Sequence, residues 1–156
     1  YDQWSHLQRL IMTLSETTNL PASLMDQHLK HLEFLTAQLE EETGESIRCR
    51  WSLYLFDPIF RQRIVYPQLE DVILYTDVEP PYTFINKLYV RNQEDDGYEY
   101  VTISEPCHGK TMRDVWLAAN TLYKRAVKEY GDWHCFLETL SMSDKYDHQY
   151  ILFYGS

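Results

Sequence analysis

The sequence predicts an α+β fold: an N-terminal helical hairpin, followed by a mostly antiparallel sheet with one further helix, about residues 111–130, packed on it. Three observations predict this class. Apolar residues recur at helical spacing before Gly44, the apolar period changes to two from Ser46 onward, and helices and strands do not alternate as parallel βαβ units would. At 156 residues the chain has the size of a single domain with one hydrophobic core, residues 1–156.

Three helices are predicted from apolar stripes and terminal residues. The first covers residues 2–17, and Pro21 separates it from a second that ends near Gly44. Because the link between them is short, these two are expected to form an antiparallel hairpin. The third begins after Thr111, which is suited to an N-cap, and ends before Gly131. The stripe of the second helix consists of Met25, Leu29, Leu32, Leu35 and Leu39.

The strand signals begin where the second helical pattern ends. Residues 47–56 alternate with a period of two, which predicts a strand, and Pro58 follows its end. Residues 64–66 and 72–75 are rich in β-branched and aromatic side chains and lie between prolines, so they predict short or edge strands.

Two hairpins are predicted in the C-terminal half. Residues 84–90 and 98–103 are β-rich and flank a polar segment in which Asp-Gly at Gly97 supplies turn chemistry. Residues 134–142 and 150–154 flank a second polar segment and predict another hairpin. The strands therefore follow one another along the chain in pairs, which favours antiparallel pairing.

Composition excludes several classes of protein. With 14 Lys and Arg against 24 Asp and Glu, the net charge is −10, which disfavours nucleic-acid binding. No apolar run is long enough to span a membrane, so no membrane association is expected. The three cysteines, Cys49, Cys107 and Cys135, are an odd number without a close pair, which fits free thiols in the cytoplasm or nucleus. Because the numbering begins at Tyr1, a removed leader remains an open alternative.

One loop suggests a thiol enzyme. Cys107 precedes a predicted helix N-terminus and is followed by His108, an environment that can lower a thiol pKa and produce a nucleophile. These two residues are the catalytic candidates. The alternative is an unreactive loop or core cysteine, since adjacent side chains usually point in different directions.

A second pair suggests a metal site. His28 and His31 lie one turn apart on the second predicted helix, and histidines at this spacing can bind a metal when further ligands join them. Since His28 falls within the leucine stripe and His31 at its edge, histidines at the margin of the core are the preferred interpretation. No cofactor or metal is therefore predicted.

The aromatic content indicates a binding surface. The chain has 13 tyrosines, and many of them lie in its strand half, where a share on an exposed sheet face would suit a protein partner. The alternative is that they fill the core. We predict a non-catalytic interaction or regulatory domain that binds a protein partner, with the small enzyme and a self-assembling structural subunit, a homo-oligomer, as alternatives. The candidate partner-binding residues are Tyr82, Tyr89, Tyr98, Tyr100 and Trp133.

Overall fold

The computed structural model describes residues 22–52, 67–74, 76–92 and 94–155. These residues contain two helices and five strands, and the strands form one sheet in the order β1-β4-β5-β2-β3. The first predicted helix, residues 2–17, and the predicted strand at 64–66 lie outside the described residues. In chain order the elements are α1 (Ala22–Thr43), β1 (Arg50–Trp51), β2 (Tyr82–Arg91), β3 (Tyr98–Cys107), α2 (Met112–Tyr130), β4 (Phe136–Met142) and β5 (Gln149–Gly155).

The sheet is mixed, and this corrects the expectation of a mostly antiparallel one. The hairpins β2–β3 and β4–β5 are antiparallel, as predicted. However, β5 joins β2 in parallel and β1 joins β4 in parallel. The turns that make a hairpin are encoded locally, whereas the contact between two hairpins is set by how the chain returns after α2. The sequence therefore indicated the pairs within each hairpin but not the pairs between them. An α+β class with a mixed sheet describes the fold.

The ends of α2 match the sequence signals. The Thr111 side chain accepts a hydrogen bond from the backbone N–H of Asp114, and Thr111 itself is extended, as an N-cap requires. At the other end Gly131 adopts φ 67°, a left-handed conformation that glycine enters without a Cβ penalty. Its N–H donates to Val127 O at 2.9 Å, and the next N–H donates to Ala126 O at 3.2 Å. Both boundaries are thus fixed by local chemistry.

The core combines both helices with one face of the sheet. Leucines of α1, the apolar face of α2 and alternate residues of β2 and β5 form one continuous buried cluster. The helix α1 ends at Thr43, and the following Gly44 has φ 72°, which makes it the predicted stop. Arg113 at the start of α2 lies 3.1 Å from Glu42 and 2.8 Å from Glu70. These exposed ion pairs link α1, the 67–74 segment and α2, but pairs of this kind add little stability.

The segment before β1 is held by hydrogen bonds to Asn120 of α2. Asn120 is fully buried, and its Oδ1 accepts from Arg48 N at 2.8 Å and from Cys49 N at 3.0 Å. Its Nδ2 donates to Ser46 O at 3.0 Å. Because these backbone groups bond to a helix side chain, they are not available to a sheet ladder. The strand predicted for residues 47–56 is therefore confined, among described residues, to Arg50–Trp51.

A tryptophan of α2 anchors the same segment by packing. Trp116 is 1% exposed, and its Nε1 donates to Cys49 O at 2.8 Å. Its ring meets the edge of Trp51 with a centroid distance of 5.8 Å and an interplanar angle of 75°. The strand β1 is thereby fixed against α2 as well as against β4. Residues 72–75 form no strand in their described part, where Val72 makes an isolated bridge to Thr111.

Candidate functional site

The sheet opens into a groove where β2 and β5 part. The two strands pair in parallel from Thr83↔Gln149 to Asn86↔Leu152. Beyond that point β2 continues to Arg91 beside β3, while β5 stays with β4. The space between them measures about 1170 Å³. It is walled by β2, by the end of β5 and by the segment 129–134, which follows from the end of α2.

Among the described residues, the β2 wall of the groove is a strand edge without a pairing strand. Backbone groups alternate in direction along a strand. Thr83 N donates to His148 O at 2.8 Å, so the odd-numbered residues of β2 turn their N–H and C=O groups toward β5. Asn92 N donates instead to Gly97 O, so the even-numbered positions direct these groups toward β3. It follows that Tyr89 and Arg91 direct their backbone groups into the groove. No strand of the described chain pairs with them on that side.

The groove carries an excess of negative charge. Its walls include four carboxylates and two permanently positive side chains, Lys87 and Arg91. Arg91 makes an ion pair with Asp96, which reduces its effect on the groove. The carboxylates are Glu94, Glu99, Glu129 and Asp132. The potential in the groove therefore has the sign of the whole chain and favours a positive ligand.

Three tyrosines form a cluster on the outer face of the β2–β3 hairpin. We call Tyr89, Tyr98 and Tyr100 the tyrosine cluster. Tyr89 lies opposite Tyr100 in the ladder, and its ring is 4.8 Å from that of Tyr100 and 5.0 Å from that of Tyr98. The three side chains are between 60% and 75% exposed. Rings that are stacked on each other yet open to solvent present a rigid apolar surface.

Trp133 stands on the opposite wall of the groove. Its side chain is 62% exposed, and its ring stacks on that of His134 at 4.2 Å. His134 Nδ1 in turn lies 2.6 Å from Asp132 Oδ1. The tryptophan is therefore held by a short chain of contacts rather than left free to rotate. Of the five candidate partner-binding residues, Tyr89 and Trp133 line the groove.

Tyr82 occupies a different environment from the other candidates. It is 1% exposed, and its hydroxyl donates to Val78 O at 2.8 Å. Its ring meets that of Tyr150 edge-on at 5.6 Å in the core. The structure therefore contradicts the expectation that Tyr82 is presented to a partner. The reason is that side chains alternate between the two faces of a strand. Tyr82 and Phe84 point to the helix side of β2, whereas Tyr89 points to the outer side.

The catalytic candidates do not form an activated pair in the described structure. Cys107 is 1% exposed, and its Sγ donates to Gly109 O at 3.3 Å, while His108 is exposed. Burial raises the pKa of the Cys107 thiol from 9.0 to about 11, although the hydrogen bond to Gly109 acts in the opposite direction. A nucleophilic cysteine needs the reverse shift. The side chains are adjacent in sequence but face different surroundings.

From its burial and raised pKa, we expect the Cys107 thiol to react slowly. At pH 8, iodoacetamide is expected to alkylate Cys107 of the native protein roughly 100-fold more slowly than a free thiol of pKa 9.0, because the thiolate is correspondingly scarce. Peptide mass spectrometry after timed quenching measures the rate at each cysteine. The same protein in denaturant is the control and should react at the free rate. Alkylation of native Cys107 at or above that rate would show that the thiol is activated.

The two histidines of α1 are held by other contacts. His28 is fully buried in the leucine face of the helix. His31 Nε2 lies 2.6 Å from Pro67 O, and its ring stacks against Phe34 at 6.1 Å. Within the described residues no group of three or more His, Cys, Asp or Glu side chains is arranged to hold a metal ion. His28 thus lies inside the core, and His31 lies at its margin.

Sequence reasoning missed one residue of the groove. Asn86 is 4% exposed, lies on the helix side of β2 and lines the groove. Its Nδ2 has no hydrogen-bond partner among the described residues. A signal was present in the sequence: the inward positions of β2 are Tyr82, Phe84, Asn86 and Leu88, so the asparagine is the polar member of a buried series. Buried polar groups in a strand usually have a partner, so the Asn86 amide is a candidate contact for a ligand in the groove.

Comparisons with known protein families, with curated proteins and with solved structures found no match for this chain. Among the described residues, no helix has the length and apolar character needed to cross a membrane. The chain is thus characterised by its fold and surface: an α+β domain with a mixed five-stranded sheet that carries a tyrosine cluster beside an acidic groove.

Proposed function

We propose that this domain is a non-catalytic interaction or regulatory module, and that it binds a protein partner through the tyrosine cluster and the adjoining groove. The observation that carries the proposal is the exposure, 60–75%, of the three tyrosines whose rings lie against one another. Tyrosine and tryptophan contribute a large contact area at a small cost in side-chain entropy, and they are enriched at interfaces. Trp133 extends the same surface across the groove.

The charge of the domain favours a partner with a basic face. With a net charge of −10, the domain attracts positive surfaces during encounter and repels negative ones. The three cysteines are buried and none of them forms a disulfide bond, which supports residence in a reducing compartment, the cytoplasm or nucleus.

The alternative of a small enzyme has less support. Its catalytic candidate is a buried thiol whose pKa is raised, and its metal candidates lie in a core helix. The alternative of a self-assembling subunit is supported by β3, the longer of the two edge strands of the described sheet, which has ten residues. Pro106 and two glutamates in β3 disfavour pairing of this edge with a second copy of the chain. The tyrosine cluster lies on the face of the sheet rather than along its edge. It therefore suits side-chain contacts with a partner's surface and not the addition of a strand to β3.

The test is loss of a stoichiometric partner on mutation of the tyrosine cluster. The bait proteins are the wild type, the double variant Tyr98→Ser and Tyr100→Ser, and the control Tyr146→Ser, whose target is 51% exposed in the β4–β5 turn. Native mass spectrometry of complexes purified from the source organism measures stoichiometry. We expect a heteromeric complex with wild type and control, and its reduction at least tenfold with the double variant.

Two results would contradict the proposed function. One is recovery of the domain alone or only with copies of itself. The other is a complex that the double variant retains in full. Circular dichroism of all three proteins establishes that the substitutions leave the fold intact, which is expected because these side chains are exposed.

A further inference from the structure

We propose that the groove binds an extended, positively charged peptide segment of the partner protein, and that this segment adds as a strand to the open edge of β2. The inference rests on the proposed function and specifies its partner: not a folded surface alone, but a peptide in strand conformation. It draws on three independent observations, namely the backbone edge, the buried amide of Asn86 and the charge of the walls.

The first observation is the supply of backbone hydrogen-bonding groups. Tyr89 and Arg91 direct their backbone N–H and C=O groups into the groove. These groups have the spacing that a neighbouring strand would need for hydrogen bonding. An extended peptide supplies groups at the same spacing, and such strand addition is a recurring way of binding peptides. The stretch from Lys87 to Arg91 is long enough for a peptide of roughly five residues at ~3.3 Å per residue.

The second observation is Asn86 at the point where the groove closes. Its amide is buried, and its Nδ2 lacks a partner among the described residues. Because an unpaired buried donor is energetically unfavourable, a hydrogen-bond acceptor placed near Asn86 Nδ2 would be stabilised. A peptide that follows β2 toward Asn86 brings a carbonyl oxygen to that end of the groove. The structure thus provides a polar anchor where the peptide would meet the end of the β2–β5 ladder.

The third observation is charge on the helix side of the groove. Glu99 lies opposite Val90 in the ladder, and Glu129 stands in the last turn of α2. Glu129 lies 4.0 Å from Arg125, outside normal hydrogen-bond distance, so its charge is weakly compensated. A peptide strand beside β2 turns alternate side chains toward this side, where lysine or arginine would meet both carboxylates. The remaining side chains turn toward Tyr89 and Phe153, which are apolar and exposed.

The alternation defines the probe. The peptide with acetylated and amidated ends, Lys-Val-Lys-Val-Lys-Val, places bases on one side and apolar groups on the other. The comparison peptides replace Lys by Glu, or carry N-methyl groups on the valines and, in a second version, on the lysines. Binding to the full chain is followed by NMR from the amide signals of Lys87–Arg91 and from the side-chain amide of Asn86. The Lys peptide is expected to bind at least tenfold more tightly than the Glu peptide.

A charge-reversal pair tests the location. The variant Glu99→Lys with Glu129→Lys should weaken binding of the Lys peptide at least tenfold. The matched control, Glu33→Lys with Glu41→Lys, makes the same change of net charge at exposed positions of α1 and should alter binding less than twofold. One N-methylated version should lose binding, because it removes the N–H groups that reach β2.

Four results would overturn the inference. These are no saturable shift at Tyr89 and Arg91, equal affinity for the Lys and Glu peptides, full binding by both N-methylated versions, and slow hydrogen exchange of the Tyr89 and Arg91 amides in the free protein. The last would show that another part of this chain, or a second copy, already covers the edge. The two proposals can also fail separately. If a partner complex depended on the tyrosine cluster but survived the reversal of Glu99 and Glu129, the proposed function would stand and only the peptide inference would be wrong.

Discussion

Replacing Asn120 by Ala is expected to lower the free energy of unfolding by about 3 kcal/mol, since three hydrogen bonds to the backbone of residues 46–49 are lost at once. Cys49 N–H suffers most, because it is buried and water cannot replace the amide oxygen. Each orphaned buried group costs about 1–3 kcal/mol, and the gain in helix propensity from Ala offsets less than 1 kcal/mol. The substitution also frees the segment that leads into β1.

Urea denaturation followed by circular dichroism measures this change. The control is Thr121→Ala, the next residue of α2, whose side chain is partly exposed and donates to Leu117 O within the helix. It should stay within about 0.5 kcal/mol of the wild type. If Asn120→Ala lost less than about 1 kcal/mol, the three hydrogen bonds would not be the anchor of the 46–49 segment.

The second large effect is expected at Trp116. Its replacement by Ala should cost about 3–5 kcal/mol, because it removes a fully buried ring and leaves a cavity against Trp51. The variant Trp116→Phe keeps most of the apolar volume but loses the donor to Cys49 O, so it should cost about 1–2 kcal/mol. The difference between the two variants separates packing from hydrogen bonding.

The same denaturation experiment measures both variants. Trp133→Ala is the matched control, since that tryptophan is 62% exposed and should change stability by no more than about 0.5 kcal/mol. A cost for Trp116→Phe equal to that for Trp116→Ala would refute the contribution of packing. The converse result, no cost for Phe, would refute the contribution of the hydrogen bond.

Much of the secondary structure was encoded locally and could be predicted. Gly44 and Gly131 both take the left-handed conformation that ends a helix, and Thr111 caps α2 as expected. The hairpin predicted at 84–90 and 98–103 is present and longer, because β3 runs through Pro106 on the outer edge of the sheet, where no N–H is required. The parallel pairs of the sheet depend on contacts between distant segments, which no local pattern reveals.

The candidate site was predictable only in part. The sequence identified tyrosines and a tryptophan, and parity along β2 separates the exposed Tyr89 from the buried Tyr82. The groove itself depends on where β5 leaves β2, which is a property of the tertiary structure. For the same reason the burial of Cys107, which decides its reactivity, did not follow from its position beside His108.

The parallel pairing of β1 with β4 has a consequence for synthesis in the cell. Arg50 pairs with Phe136, so β1 leaves the ribosome long before its neighbour in the sheet exists. At ~5–20 residues per second the delay between Arg50 and Phe136 is about 4–17 seconds. Trp51 lacks its contact with Trp116 until α2 is synthesised, and its strand neighbour until β4 follows. The nascent chain therefore exposes this apolar segment until these later parts of the sequence emerge.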